Sequence, residues 1–212
     1  MVVPSPTFLP CQAETGVQSR ADLAKAALRR TLRAARRDHV AALPAAMSRL
    51  VFNRPPRPVV DWLGTRGPIG FYHAMGAEAP TLGWIRWFHE NGGRIALPWF
   101  ERRSAAMAFR EWSDPWDDDL LEPAPYGGLQ PLASAPLLDP AALVVPLVGF
   151  TADGGRLGQG GGHYDRWLGD HPAVDAIGLA WDVQQVDELP LEPHDRPLAA
   201  VVTPTRIYWS EN

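Results

Sequence analysis

The sequence predicts an α/β fold: a mostly parallel central sheet flanked by helices, with a long N-terminal helix. Three observations predict it. Leu143 to Val148 is a short run of Val and Leu with the composition of a strand buried on both faces. Ile69 to Tyr72, Pro80 to Asn91 and Arg94 to Pro98 read in order as strand, helix and strand, the pattern of a parallel sheet with crossover helices. From about Arg20 to Leu43, the apolar residues Leu28, Leu32 and Ala35 recur at i, i+4 and i+7, one face of a helix.

Taken in order, residues 1 to 18 are polar and proline-spaced and are expected to form a disordered tail. Ser19, three residues before Asp22, has the spacing of a helix N-terminal cap. Within the helix that follows, Lys25, Arg29, Arg33 and Arg36 form a basic stripe beside the apolar face. Like charges at this spacing repel by about 0.2–0.5 kcal/mol per pair, tolerable in water and favourable against an anion. A solvated face is the reading for Arg33 and Arg36. Past Pro44, one or two short helices are expected before residue 66, broken by Pro55, Pro56 and Pro58. The helix from Pro80 to Asn91 would bury Leu82, Ile85 and Phe88, and Gly92-Gly93 would stop it. Ala105 to Trp112 is a further strand, and Leu138 to Val148 returns to the sheet. His163 to Gly169 is a short helix. Val174 to Trp181, Ala199 to Val202 and Arg206 to Trp209 complete the strands. No linker divides two compositional halves, so residues 19 to 212 read as a single domain.

Composition narrows the classes. The 212 residues are 46% hydrophobic and 21% charged, as in an ordinary globular protein. A net charge of −4 disfavours nucleic acid as a partner. Cys11 is the only cysteine, so neither an intrachain disulfide nor a cysteine zinc cluster is available. There is no apolar run of membrane-spanning length, no signal-peptide pattern at the N-terminus and no internal repeat. No membrane partner, a cytoplasmic location and a monomer are expected.

Chemistry concentrates in residues 156 to 166: Arg156, Leu157, Gly158, Gln159, Gly160, Gly161, Gly162, His163, Tyr164, Asp165, Arg166. Consecutive glycines let a backbone adopt φ > 0 and approach a ligand closely. A helix beginning near His163 would turn its free N–H groups toward the loop and favour an anion there. A glycine linker would lack the flanking Arg, Tyr and Asp. The loop is not a Walker A motif, because no Gly-Lys-Ser/Thr follows. It is not the dinucleotide fingerprint, because His163 stands at the third glycine of a G-x-G-x-x-G read from Gly158. There is no G-x-S-x-G elbow and no H-E-x-x-H helix, and the six histidines are not spaced as metal ligands. Asp165 and Asp195 are candidates for a hard cation such as Mg²⁺; each also has an ordinary structural reading, at a helix start and in a proline turn. The six acidic residues between Glu111 and Glu122 read as a solvated loop.

The stretch from Val145 to Leu168, VPLVGFTADGGRLGQGGGHYDRWL, resembles the C-terminal signature of the 5-formyltetrahydrofolate cyclo-ligase family. Lys25-Ala26-Ala27-Leu28-Arg29 resembles that family's Lys-x-x-Leu-Arg. Tyr72 to Thr81 is similar to its Tyr…Glu-Val-Asp-Thr segment, and Tyr126 to Pro131 to its aromatic-glycine loop. Ile177 to Ala180, Gln184 to Pro190 and His194-Asp195 follow in the family's order. The resemblance covers roughly residues 20 to 208. It implies ATP- and Mg²⁺-dependent cyclisation of 5-formyltetrahydrofolate to 5,10-methenyltetrahydrofolate, with a phosphorylated formyl intermediate and release of ADP and phosphate. It implies ATP contacts from Lys25, Ala26, Ala27, Leu28, Arg29 and residues 156 to 164, with Arg156, Lys25 and Tyr164 closest to the chemistry. It implies folate contacts from Tyr72, His73, Glu78, Tyr126 and residues 159 to 163, and a Mg²⁺ held by Asp165 and Asp195. Three departures stand out: His163 replaces a Tyr, Ala79-Pro80 replaces Val-Asp after Glu78, and the region after residue 44 is short and proline-rich. Two alternatives remain open: a paralogue that binds nucleotide or folate without turnover, and an ATP-dependent ligase for another formyl or amide substrate.

Overall fold

Helix α1 (Arg20–Ala42) opens the described part of the chain and runs as the apolar periodicity requires. The computed structural model describes residues 20–44, 47, 50–64, 66–192 and 195–210. The expected tail 1–18 and the Ser19 cap lie outside the described residues. Helix α2 (Arg57–Leu63) takes Pro58 into its first turn, where the missing N–H costs no hydrogen bond; this proline starts a helix instead of breaking one. Strand β1 (Ile69–Gly70), helix α3 (Leu82–Glu90), β2 (Ile95–Trp99) and β3 (Ala108–Glu111) follow. The buried side chains of α3 are Trp84, Ile85 and Phe88. Leu82, expected among them, is 37% exposed because it stands at the first turn, and the indole of Trp84 fills the core position.

Two short hairpins were not foreseen as strands. One pairs β4 (Leu121–Pro123) with β5 (Leu129–Pro131), and Tyr126-Gly127-Gly128 lies in its connection. After β6 (Ala142–Pro146), the second pairs β7 (Gly149–Phe150) with β8 (Arg156–Leu157), and the polar turn 151–155 is its tip. Helix α4 (His163–Asp170) leads to β9 (Asp175–Leu179), β10 (Ala200–Val202) and β11 (Ile207–Trp209).

Among the described residues the sheet has seven strands in the order β11-β10-β9-β6-β1-β2-β3, parallel except where β3 and β11 pair antiparallel at its two edges. Alternation along each strand sorts side chains to the two faces. Ala142, Val144, Ile177, Leu179, Ala200 and Val202 join Val59 and Leu63 of α2 and Trp84, Ile85 and Phe88 of α3 in one core. Leu143, Val145, Ala176 and Val201 join Trp167 and Leu168 of α4 in the other. Helix α1 rests on the β7–β8 hairpin, with Leu32 against Val148 and Leu157. Gly149 makes that approach possible: a Cβ there would lie 2.5 Å from Leu32 Cδ1.

The connection from β1 through α3 goes to one side of the sheet, and that from β6 through α4 goes to the other. Strands β1 and β6 are neighbours. A crevice therefore opens beyond their carboxyl ends, the topological switch point where open α/β sheets bind ligands.

Candidate active site

A cavity of about 640 Å³ occupies that crevice. Tyr72 and His73 enter it just past β1, Pro98 and Phe100 from the end of β2, and Pro146 from the end of β6. The loop after β8 and the first turn of α4 form one wall, and Arg33, Arg36 and Arg37 of α1 reach in beside them.

The glycine loop bridges Leu157 and His163 with two left-handed residues, Gly160 (φ 108°) and Gly162 (φ 62°), a backbone that disfavours side chains. A Cβ on Gly161 would lie 2.7 Å from the His163 ring. Helix α1 fixes the loop by its carbonyls. Arg29 Nε donates to Gly158 O at 2.8 Å, and Arg33 Nη2 donates to Gln159 O and Oε1, each at 2.8 Å. None of the Gly158 to Gly162 amides donates to a protein acceptor among the described residues. Behind the loop, Arg156 is 5% exposed and ion-paired to Asp165, while its Nη1 is buried without a hydrogen-bond partner. A buried cationic donor lacking an acceptor is costly, so the arrangement suits an anionic ligand.

The residues expected to hold ATP separate into two groups. Arg156, Gly158, Gln159, Gly161, Gly162, His163 and Tyr164 line the cavity, and Arg29 supports it from behind. Lys25, Ala26, Ala27, Leu28, Leu157 and Gly160 are not among its lining residues. Leu157 is in the core, Leu28 packs beside it, and Ala26 and Ala27 are exposed. Buried Lys25 donates to Glu192 Oε2 at 2.6 Å and Asp195 Oδ2 at 2.9 Å. Burial works to lower its pKa, but the hydrogen bonds and charges of these two carboxylates outweigh that and hold it above the ordinary amine value.

The two aspartates expected at Mg²⁺ lie in different networks. Asp165 lines the cavity with one oxygen on Arg156. Asp195 is bound to Lys25 and, through Oδ2, to Glu192 N at 2.8 Å. Among the described residues no three His, Cys, Asp or Glu side chains form a metal cluster. Asp165, a hard oxygen donor beside an anion cradle, fits a Mg²⁺ that takes most of its ligands from phosphate and water, and not a cage made of protein alone.

Another part of the lining is aromatic and carries a carboxylate that touches the glycine loop through Gln159. Glu78 is 8% exposed; its Oε2 accepts from Met75 N at 3.0 Å and its Oε1 from Gln159 Nε2 at 2.8 Å. Burial raises its pKa, against the pull of the Met75 N–H, Arg36, Gln159 and Arg33. The Tyr72 hydroxyl donates to Ala79 O at 2.6 Å, and burial holds its pKa well above the ordinary value. His73 is half-buried; burial lowers its pKa against the opposing charge of Asp118, and its Nδ1 has no partner among the described residues. His163 sits in an aromatic cluster, 4.9 Å from Phe100 and 4.7 Å from Tyr126 between ring centroids. Burial and the Arg166 charge lower its pKa, so it is neutral at pH 7 and keeps the aromatic character of the Tyr it replaces. Burial and Glu78 raise the pKa of Tyr164, with Arg156 opposing, which leaves its hydroxyl neutral.

Two features differ from the sequence reading. Arg36 is not part of a solvated face: it is 8% exposed and lines the cavity, because α1 turns the 33–37 segment over the carboxyl end of β6. Arg33 is partly covered as well, held by Gln159. The signal was present, since Arg33 and Arg36 continue the helical spacing of Lys25 and Arg29. Phe100 also lines the cavity and carried no motif, and Met75 lines it from within the Tyr72 to Thr81 segment without having been singled out. The acidic stretch is structural: Glu111 pairs with Arg94, and Asp117 caps the 3₁₀ turn 118–120.

This fold and cavity define an α/β protein with a glycine loop and a buried arginine suited to an anion, and an aromatic, carboxylate-bearing recess beside them. The sequence profile of the 5-formyltetrahydrofolate cyclo-ligase family matches residues 21–204. The chain belongs to that family. The 5-formyltetrahydrofolate cyclo-ligase of Mycolicibacterium smegmatis is 30% identical over 141 residues, 64% of this chain and 72% of that protein. The enzyme of the same name from Escherichia coli K12 is 48% identical over 68 residues, 31% of this chain, and the chain spans only 37% of that relative's length. The NMR structure of Aquifex aeolicus 5,10-methenyltetrahydrofolate synthetase superposes with a TM-score of 0.68 over 89% of this chain and 93% of that one. At 21% identity this likeness speaks for the fold.

Proposed function

We propose that the protein cyclises 5-formyltetrahydrofolate to 5,10-methenyltetrahydrofolate, using ATP and Mg²⁺. The observation that carries this reading is one cavity lined both by the glycine loop with Arg156 and by Glu78 among Tyr72, Phe100 and Tyr126. Family membership supports the same reading. ATP phosphates lie against the Gly158–Gly162 amides and Arg156, and the pterin edge donates its N–H groups to Glu78, which can accept more than one. Bound together, the formyl oxygen and the γ-phosphorus are within reach of each other, and most of the barrier is met by positioning and charge.

In the first step the formyl oxygen attacks the γ-phosphorus and the bond to ADP breaks, giving an imidate phosphate. N10 of the same folate then attacks the formyl carbon and gives up its proton. The C–O bond breaks, phosphate leaves with the former formyl oxygen, and the ring closes. Arg156 and the loop amides neutralise charge on the transferring phosphoryl group. Tyr164, held neutral, offers an O–H donor to the same oxygens. Asp165 would hold the Mg²⁺ that lowers the charge on the phosphates. The roles of Lys25 and Asp195 are indirect: their pair ties α1 to the loop before β10 and so steadies Arg29 behind the glycines. Mixing protein, 5-formyltetrahydrofolate, ATP and Mg²⁺ tests the reading. It predicts methenyl product and ADP in equal amounts, and ADP without methenyl product would replace it with a ligase for another substrate.

A further inference from the structure

Two buried, oppositely charged side chains face this cavity without meeting. Arg36 is 8% exposed; its Nη1 donates to Leu147 O at 3.3 Å and its Nε is buried with no hydrogen-bond partner. Glu78, equally buried, accepts from Met75 N and Gln159 Nε2. Each lies in the other's field, yet no ion pair joins them, although both are among the described residues. A buried guanidinium N–H without an acceptor loses its hydration for no return unless a ligand completes it. Arg36 and Glu78 both line the cavity, so one ligand bound there can meet both.

The pair states what that ligand edge is. One cationic donor beside a carboxylate is complementary to an edge that reads acceptor, donor, donor. The 4-oxo group, N3–H and 2-amino group of a pterin present that edge. Glu78 can take the two N–H groups because a carboxylate has lone pairs beyond those used by Met75 and Gln159. That leaves the 4-oxo oxygen for Arg36. We propose that Arg36 donates to the pterin 4-oxo oxygen and sets the specificity of the recess for 4-oxo over 4-amino pteridines. The inference rests on the cyclo-ligase reading. A 4-amino group would turn the acceptor into a donor that faces the Arg36 N–H, and it also removes the N3 proton, so Glu78 adds to the preference that Arg36 sets. A site built to hydrogen-bond a substrate group rejects the analogue that lacks it far more strongly than an apolar site does.

The test is binding, without ATP, of 5-formyltetrahydrofolate and its 4-amino-4-deoxy analogue to wild type, Arg36→Met and Arg36→Lys, with ATP affinity measured alongside. Wild type is expected to prefer the 4-oxo ligand by about 10⁴-fold. Arg36→Met should lower that preference by about 10- to 100-fold with ATP affinity unchanged, Glu78 keeping the remainder, and Arg36→Lys should be intermediate. A purely structural Arg36 would weaken both ligands equally and keep the preference, which overturns the inference. If Arg36→Met does not fold, the Arg36→Lys ratio decides: below wild type supports the inference, equal to wild type overturns it. Failure of wild type to bind either reduced folate is a separate outcome that removes the cyclo-ligase reading and this inference with it.

Discussion

Arg156 is the residue on which most of the chemistry depends. It is buried, paired on one side with Asp165 and open on the other. Arg156→Ala should lower kcat by about 100- to 1,000-fold, the usual cost of one donor to a developing charge. Its far-ultraviolet circular dichroism should stay that of wild type; near-normal kcat would remove the phosphate role. Glu78 makes a prediction about pH. Its folded pKa is raised, so its contribution to stability is fully present below the unfolded value and is lost as pH rises through the folded one. The Tm of wild type relative to Glu78→Gln should therefore increase as pH falls from 7 toward about 4.5, while the variant loses folate affinity at every pH. For His163, held neutral in its aromatic cluster, His163→Phe should turn over close to wild type and His163→Ala should not. The residue types of this site were legible in the sequence wherever a motif marked them, as at Arg156 and Asp165. Arg36 was not, because a basic helical stripe looks the same whether it faces water or a cavity, and only the docking of α1 decides.

Among the elements, the glycine loop separates strain from space. Gly158 has nothing within 4 Å of a Cβ and lines the cavity. Gly158→Ala should leave Tm unchanged and weaken ATP by about tenfold, roughly 1.4 kcal/mol, because the methyl group enters the ligand's space. Gly160 has φ 108°, so Gly160→Ala should cost about 1–3 kcal/mol of stability as well, read as a lower denaturation midpoint. Equal Tm values for the two variants would contradict this account. The long helix and the central strands followed from periodicity and apolar runs, and element boundaries moved by only a few residues. The hairpins β4–β5 and β7–β8 did not, because strands of two or three residues are too short to show alternation. The first turn of α3 was misjudged because a helical stripe does not say where the core ends; Trp84, one turn position away, buries more surface than Leu82.

At the scale of the whole molecule, the N-terminal helix and the segment before β10 are distant in sequence and joined at the back of the site by Lys25, Glu192 and Asp195. The Glu192 side chain is 38% exposed, so part of this network is screened by water. Lys25→Met should destabilise by about 1–2 kcal/mol and raise the Kd for ATP through Arg29. The folded amine lies above its ordinary value, so this stabilisation persists through neutral pH and disappears only as pH rises past that range. The parallel order of the sheet placed the cavity: the strand–helix–strand pattern spoke for a parallel sheet, but it did not say that β1 and β6 would be neighbours or which side chains would meet beyond them. Glu78 and Gln159, 81 positions apart, touch only in the folded chain. ATP should raise Tm with the logarithm of its free concentration above Kd, and Arg156→Ala should lose that rise. The most direct measurement is the near-ultraviolet absorbance of the methenyl product on mixing 5-formyltetrahydrofolate, ATP and Mg²⁺ with the protein. The account predicts a rise that requires ATP and is lost in Arg156→Ala; no rise from wild type that still binds ATP would contradict it.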